Sequence, residues 1–119
     1  MSKSLGNSAD PLDLIKDYGA DAIRFTMIYN TSQGQDVHFS DKLLEMGRNF
    51  ANKVRNASNF VLMNLEGFDH TKIQESDLSL ELVDNWIYSR LHSTIQTVNE
   101  KLDKYVLDEA AKAVFEFIK

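Results

Sequence analysis

The 119-residue sequence contains no cysteine, a single proline and only five glycines. The lack of cysteine excludes a disulfide scaffold, a cysteine-ligated zinc site and a thiol nucleophile, and it favours a reducing, cytoplasmic location. No stretch approaches the roughly 20 consecutive apolar residues that a membrane-spanning helix needs. Residues 1–10 also lack the apolar run of a signal peptide. The sequence therefore predicts neither membrane insertion nor secretion.

The charge of the chain is acidic overall but unevenly distributed. Against 18 acidic residues there are 13 basic ones, which gives a formal net charge of -5. Because nonspecific nucleic-acid binding depends on phosphate neutralisation by Lys and Arg, this total by itself argues against an RNA partner. Residues 41–65 nevertheless carry four basic and two acidic residues and are the positive part of the chain. Any surface for a polyanion is therefore expected there.

The scarcity of proline and glycine predicts long helices joined by short loops. Asp10 followed by Pro11 is typical of a helix start, and Gly19 stands where a C-terminal glycine would end a short helix. A second helix is expected over about 20–29. After a loop, alternating polar and apolar residues predict a short strand at 36–39.

Apolar periodicity predicts three more helices. The first, over about 41–64, has an apolar stripe with helical spacing. The residues of this stripe are Leu43, Phe50, Val54, Ala57 and Val61. Gly47 falls on the same stripe and predicts a close helix contact rather than a break. Another helix is expected over about 81–104, with Trp86 packed beside its apolar face, and a last one after an Asp108 cap.

Several motifs occur in an order that is found in one enzyme family. The run Met-Ser-Lys-Ser-Leu-Gly-Asn at 1–7 is followed by Asp-Pro at 10–11 and by Tyr-Gly-Ala-Asp-Ala-Ile-Arg at 18–24. This order resembles the second signature of class I aminoacyl-tRNA synthetases and the sequence after it, in the valine, isoleucine and leucine group. Residues 34–53 and 84–91 are most similar to the valine branch. The isoleucine and leucine branches remain alternatives.

The resemblance implies a mainly α fold in two parts. Residues 1–40 would carry a remnant of the signature loop and a stem-contact fold. Residues 41–119 would form the N-terminal part of an anticodon-binding helical bundle. Synthetases of this group are several times longer, with a nucleotide-binding domain and an inserted editing domain upstream. We therefore expect a fragment that is inactive alone, that belongs to a monomeric parent, and that can self-associate through the apolar side of its last helix.

The same resemblance implies the reaction and the residues near ATP. The parent enzyme would activate valine with ATP and transfer it to its tRNA. Lys3 matches the second lysine of the signature, whose role is to stabilise the triphosphate as valine attacks the α phosphate. Ser2 and Ser4 are expected to assist in binding ATP. Magnesium would accompany ATP, but the histidines of this chain show no metal-ligating spacing, so no metal-binding residue is predicted.

Polar residues of the 41–64 helix predict an RNA-binding surface. At about 100° per residue, Arg48 and Asn52 lie opposite the apolar stripe, and Lys53 and Phe60 lie along one flank. Arg and Lys can neutralise phosphates, Asn can hydrogen-bond a base edge, and Phe can stack on an unpaired base. With the resemblance, this composition predicts contacts to the tRNA anticodon region. The alternatives are a solvated helix face or a free-standing helical module that binds a protein.

Overall fold

The computed structural model describes residues 10–31, 40–72 and 79–119, which form five α-helices and one turn of 3-10 helix. The α-helices are α1 (Pro11–Tyr18), α2 (Ala20–Asn30), α3 (Asp41–Asn64), α4 (Leu82–Asp103) and α5 (Leu107–Ile118), and the 3-10 turn is His70–Lys72. No strand occurs in these three ranges, and the prediction of a mainly α fold is confirmed. The strand predicted at 36–39 lies outside the described residues.

The chain divides into two compact units, residues 1–53 and 54–119. The division falls within α3, so the first turns of this helix belong to the first unit with α1 and α2. The second unit contains the end of α3 together with α4 and α5. The predicted domain boundary after residue 40 stays a prediction.

Local sequence signals determine where α1 begins and ends. Asp10 accepts a 2.9 Å hydrogen bond on Oδ1 from the backbone amide of Leu12, and Pro11 occupies the first turn. Gly19 donates its amide to the carbonyl of Ile15 at 2.9 Å and has a φ of +87°, which a residue with a Cβ rarely adopts. The predicted cap and the predicted glycine stop are both confirmed.

Small residues bring α2 and α3 into close contact in the first unit. The buried residues at this crossing are Ala22, Thr26, Leu44 and Gly47. Thr26 donates a 3.2 Å hydrogen bond from Oγ1 to the carbonyl oxygen of Leu43. A Cβ atom at Gly47 would overlap Thr26 Oγ1 and would lie only 2.7 Å from the carbonyl oxygen of Ala22. The prediction that Gly47 marks a close helix contact is confirmed.

In the second unit, a three-residue turn joins α4 to α5. The amide of Val106 donates to the carbonyl of Lys101 at 2.8 Å, and the amide of Tyr105 donates to the carbonyl of Leu102 at 2.9 Å. This pair of hydrogen bonds is the Schellman motif, whose left-handed position is usually occupied by glycine. Here Tyr105 occupies it, with a φ of +58°. The motif ends α4 and directs the chain back along it.

Asp108 lies inside the first turn of α5, so the prediction that it caps this helix is wrong. The Schellman turn ends at Val106, which therefore becomes the N-cap residue. Asp108 instead accepts a 2.8 Å hydrogen bond from Lys112 Nζ one turn later, and this bond lowers the pKa of Asp108. On the opposite helix, a hydrogen bond to Glu109 raises the pKa of Lys101. Opposite charges thus connect α4 and α5 beside the turn.

The helix α5 covers only part of α4. With 12 residues against 22, α5 is about 18 Å long and α4 about 33 Å long, at about 1.5 Å per residue. An open apolar groove lies where α5 ends, with Leu91 of α4 and Ile118 of α5 among its lining residues. Trp86 precedes Leu91 by more than a turn and is 59% exposed. The prediction that Trp86 is packed is therefore wrong for the described residues.

Replacing Tyr105 with glycine is expected to stabilise the second unit by about 0.5–1 kcal/mol. Glycine adopts a positive φ without the steric cost that a Cβ imposes, which outweighs its larger loss of conformational entropy. Little packing is lost, because Tyr105 is 82% exposed. Urea unfolding can be followed by the fluorescence of Trp86, the only tryptophan of the chain. Tyr105→Ala is the control, and equal stability of the glycine and alanine variants would contradict this account of the turn.

Candidate functional site

The residues predicted to contact ATP lie outside the described residues. These are Ser2, Lys3 and Ser4, in the segment 1–9. Their assignment to ATP therefore stays a prediction that rests on residue chemistry and on the resemblance. Lys3 supplies an ammonium group, and the serines next to it in the sequence supply hydroxyl groups. Both kinds of group can donate hydrogen bonds to phosphate oxygens.

Arg48 is positioned by contacts within the first unit. Its Nη2 atom lies 3.4 Å from Glu45 Oε1, one turn earlier on α3. Its Cζ atom lies 5.6 Å from the centroid of the Tyr18 ring at the end of α1, which is within the range of a cation–π interaction. The side chain remains 41% exposed, and a guanidinium has five N–H donors. These contacts therefore hold Arg48 in place while leaving donors for a phosphate.

Asn52 and Lys53 are both exposed in the first unit. Asn52 follows Arg48 by four residues, so the two side chains lie on the same face of α3. Lys53 is rotated from Asn52 by about 100° and lies on the neighbouring flank. The structure thus brings a guanidinium and an amide together on one face, with an ammonium beside them. This is a combination of groups that can contact phosphates and a base edge.

Phe60 lies in the second unit and is 69% exposed. The three residues after it, Val61, Leu62 and Met63, are exposed apolar side chains as well. Such a run on a helix surface is unusual for a face that contacts only water, and it is typical of a contact surface. The predicted stripe included Val61 but missed Leu62 and Met63. The uninterrupted apolar sequence after Phe60 is the signal that could have identified them.

Tyr18 is a second residue that sequence reasoning missed. It supplies the ring over which the Arg48 guanidinium lies. The two residues are distant in the sequence, and no local pattern links an aromatic residue at the end of one helix to an arginine on another. Only the packing of α1 and α3 within the first unit reveals the pair.

Neither a metal centre nor a membrane span is found in the described parts of the chain. Within residues 10–31, 40–72 and 79–119, no group of three or more His, Asp or Glu side chains is arranged to hold a metal ion. The helices described for this chain include none long and apolar enough to cross a bilayer.

Two family models match the chain. The model "tRNA synthetases class I (I, L, M and V)" matches residues 1–40, and the model "Anticodon-binding domain of tRNA ligase" matches residues 84–119. The chain belongs to the class I aminoacyl-tRNA synthetases. Over its whole length, the chain is similar to one stretch of the valine–tRNA ligases.

The valine–tRNA ligase of Fusobacterium nucleatum is 66% identical over 119 residues, covering 100% of this chain and 13% of the ligase. The corresponding ligase of Carboxydothermus hydrogenoformans is 48% identical over 118 residues, covering 99% of this chain and again 13% of the ligase. The chain thus spans about 13% of the length of these relatives. The resemblance to the valine branch is confirmed, and the isoleucine, leucine and free-standing alternatives are not favoured.

A solved structure shares the fold. It is the LeuRS of Agrobacterium radiobacter K84, whose crystal structure is that of a LeuRS–tRNA–LeuAMS ternary complex. The match covers 99% of this chain and 15% of that one, with a TM-score of 0.80 and 24% sequence identity. At this identity, the likeness shows the helical fold alone.

Proposed function

We propose that this sequence is part of an enzyme that activates valine with ATP and transfers it to its tRNA. The observation that carries the proposal is the 66% identity to a valine–tRNA ligase over the whole chain. Because the chain corresponds to about 13% of that ligase, it does not form valyl-adenylate alone. Catalysis requires that nucleotide and amino acid be held in reacting geometry by other parts of the enzyme. Pyrophosphate exchange by the 119-residue chain alone would contradict this division.

Lys3 is the residue that we assign to the chemical step. A carboxylate oxygen of valine attacks the α phosphorus of ATP, an O–P bond forms, and the bond to the departing pyrophosphate breaks. Negative charge grows on the phosphate oxygens during this step, and the Lys3 ammonium stabilises it. The hydroxyls of Ser2 and Ser4 donate hydrogen bonds to phosphate oxygens. Magnesium enters bound to ATP, and we assign it no ligand from this chain.

Contacts to tRNA are assigned to α3. In the first unit, Arg48 and Lys53 would neutralise phosphates, and Asn52 would hydrogen-bond a base edge or a ribose. In the second unit, Phe60 would stack on an unpaired base. The support is the exposure of these side chains and the positive charge of residues 41–65 in an otherwise acidic chain. The anticodon-binding family model matches residues 84–119, which follow α3 in the sequence, and this match supports an RNA-binding role for the second unit.

In a full-length ligase that carries this stretch, Arg48→Ala and Phe60→Ala are each expected to raise the KM for tRNA by about 10-fold. A lost phosphate contact or base stack is worth about 1–3 kcal/mol, and neither affects valine activation. The measurements are aminoacylation kinetics at varied tRNA concentration and ATP–pyrophosphate exchange without tRNA.

Matched controls are available in the same two units. Lys16→Ala removes an exposed cation of α1 that pairs with Asp13, and Phe68→Ala truncates an exposed phenylalanine of the second unit outside α3. Both controls should leave the KM for tRNA within about two-fold of the parent. Unchanged aminoacylation in both test variants, with the fold intact by circular dichroism, would remove α3 from the proposed tRNA surface.

A further inference from the structure

At their crossing, α2 and α3 lie so close together that the contact restricts how one helix can be rotated against the other. We call it the Gly47 notch and define it as Ala22, Thr26, the backbone carbonyl of Leu43, and Gly47. The notch is buried, with Thr26 only 3% exposed. The Thr26 hydroxyl donates a 3.2 Å hydrogen bond across the crossing to the carbonyl oxygen of Leu43. The two helices can approach this closely because Gly47 has no side chain.

Only one rotation of α3 fits this notch. A methyl group at Gly47 would already overlap Thr26 Oγ1 and would approach the carbonyl oxygen of Ala22 to 2.7 Å. Turning α3 by one residue, about 100°, would bring the side chain of Met46 or Arg48 into the same space. Neither side chain can be accommodated there. The notch therefore fixes how α3 is rotated about its own axis relative to α2.

Two contacts on either side of the notch depend on the same rotation. The rings of Phe25 and Phe50 lie 4.6 Å apart, between α2 and α3. The guanidinium of Arg48 lies over the Tyr18 ring of α1 at 5.6 Å. Because the backbone of α3 fixes the direction of each Cα–Cβ bond, this rotation also sets the direction in which its exposed polar face points. In the first unit, that face carries Asn52.

We infer that the Gly47 notch is a positioning element for tRNA: it orients Arg48, Asn52 and Lys53 relative to α1 and α2. This inference rests on the proposed function, in which residues of α3 contact tRNA. Ala22, Thr26 and Gly47 are buried between the two helices, so in this proposal they do not touch tRNA. Their effect is on the direction of other side chains, and a change there alters tRNA use while valine activation continues.

The geometric part of the inference is tested on the 119-residue chain itself. The chain has no cysteine, so Asp17→Cys with Asn49→Cys places two spin labels on exposed sites of α1 and α3. Adding Gly47→Ala is expected to shift or broaden the distance distribution between the labels. An unchanged distribution in a folded Gly47→Ala chain would overturn the inference, whatever the enzyme does.

The functional part uses the full-length ligase. Gly47→Ala should raise the KM for tRNA by about 10-fold, because a misplacement of about 1 Å can cost as much as about 100-fold. ATP–pyrophosphate exchange without tRNA should keep its kcat and its KM for valine. Gly67→Ala is the matched control: its φ of +78° makes alanine strained, but the added Cβ meets nothing within 4 Å. Parallel loss of both activities, or equal effects of the two alanines, would overturn the inference.

A second pair of variants decides the question if Gly47→Ala does not fold. Thr26→Ser keeps the hydroxyl that bonds to Leu43, and it should behave as the parent. Thr26→Val keeps the shape but loses that hydrogen bond, and it should raise the KM for tRNA without changing pyrophosphate exchange. Equal kinetics of the serine and valine variants would contradict the positioning role. If the unmodified full-length protein does not charge tRNA with valine, the proposed function fails, while the label distances still decide whether the notch orients α3.

Discussion

Replacing Lys3 with alanine in a full-length ligase that carries this stretch is expected to slow valine activation by about 100- to 1,000-fold. Removing one preorganised charged donor from a site where phosphate charge develops has a cost of this size. The effect should fall on kcat of ATP–pyrophosphate exchange more than on the KM for ATP, because the charge grows only as the reaction proceeds. Quenched-flow measurement of adenylate formation would separate this step from product release.

Lys3→Arg keeps the positive charge and should retain more activity than Lys3→Ala, although the planar guanidinium is not an exact substitute for an ammonium. Lys16→Ala is the control for loss of one cation from the same unit, since Lys16 is exposed and pairs with Asp13, one turn earlier on α1. A Lys3→Ala enzyme with kcat within a few-fold of the parent would show that Lys3 does not serve the activation step.

Replacing Leu44 with alanine is expected to destabilise the first unit by about 3 kcal/mol. Leu44 is 1% exposed and is the most completely buried large side chain of the described residues. Truncating such a leucine removes its transfer free energy and leaves a cavity, with a total cost of about 2–5 kcal/mol. Urea denaturation followed by far-ultraviolet circular dichroism of the 119-residue chain measures the change.

Leu12→Ala supplies the comparison within the same unit. Leu12 lies on α1 and is 67% exposed, so its truncation should change the free energy of unfolding by less than about 0.5 kcal/mol. The difference between the two changes in the free energy of unfolding tests the packing of α3, because both variants lose the same side-chain atoms. Similar stability of both variants would mean that Leu44 is not in the core.

Helix boundaries followed closely from local sequence. The start of α1 at Pro11 and its end before Gly19 were predicted, because capping and glycine stops depend on a few neighbouring residues. The range predicted for α3, 41–64, agrees with the observed helix, whose apolar periodicity is long. The close contact at Gly47 was also predicted, since a glycine on an apolar stripe has few other uses.

Features that depend on distant residues were missed or predicted wrongly. Leu44, the most buried leucine of the described residues, was left out of the predicted stripe because the position of α2 decides which side of α3 is covered. Trp86 was expected to pack, but the short α5 does not reach it. Asp108 was expected to cap α5, but the turn formed by Tyr105 starts that helix two residues earlier, with Val106 as the N-cap. The first two errors concern contacts between helices, which the local sequence does not specify. The third arose because a tyrosine, instead of the usual glycine, occupies the left-handed position of the turn before α5.

The most direct test is to replace the matching stretch of the Fusobacterium nucleatum valine–tRNA ligase with this sequence, which is 66% identical to it. The measurement is the rate at which the resulting full-length enzyme attaches valine to tRNA, with isoleucine and leucine as competing amino acids. Valine transfer is expected within about 10-fold of the parent enzyme, since the cost of imperfect fit should not exceed about 1.4 kcal/mol. A folded exchange enzyme that neither activates valine nor charges tRNA would contradict this expectation.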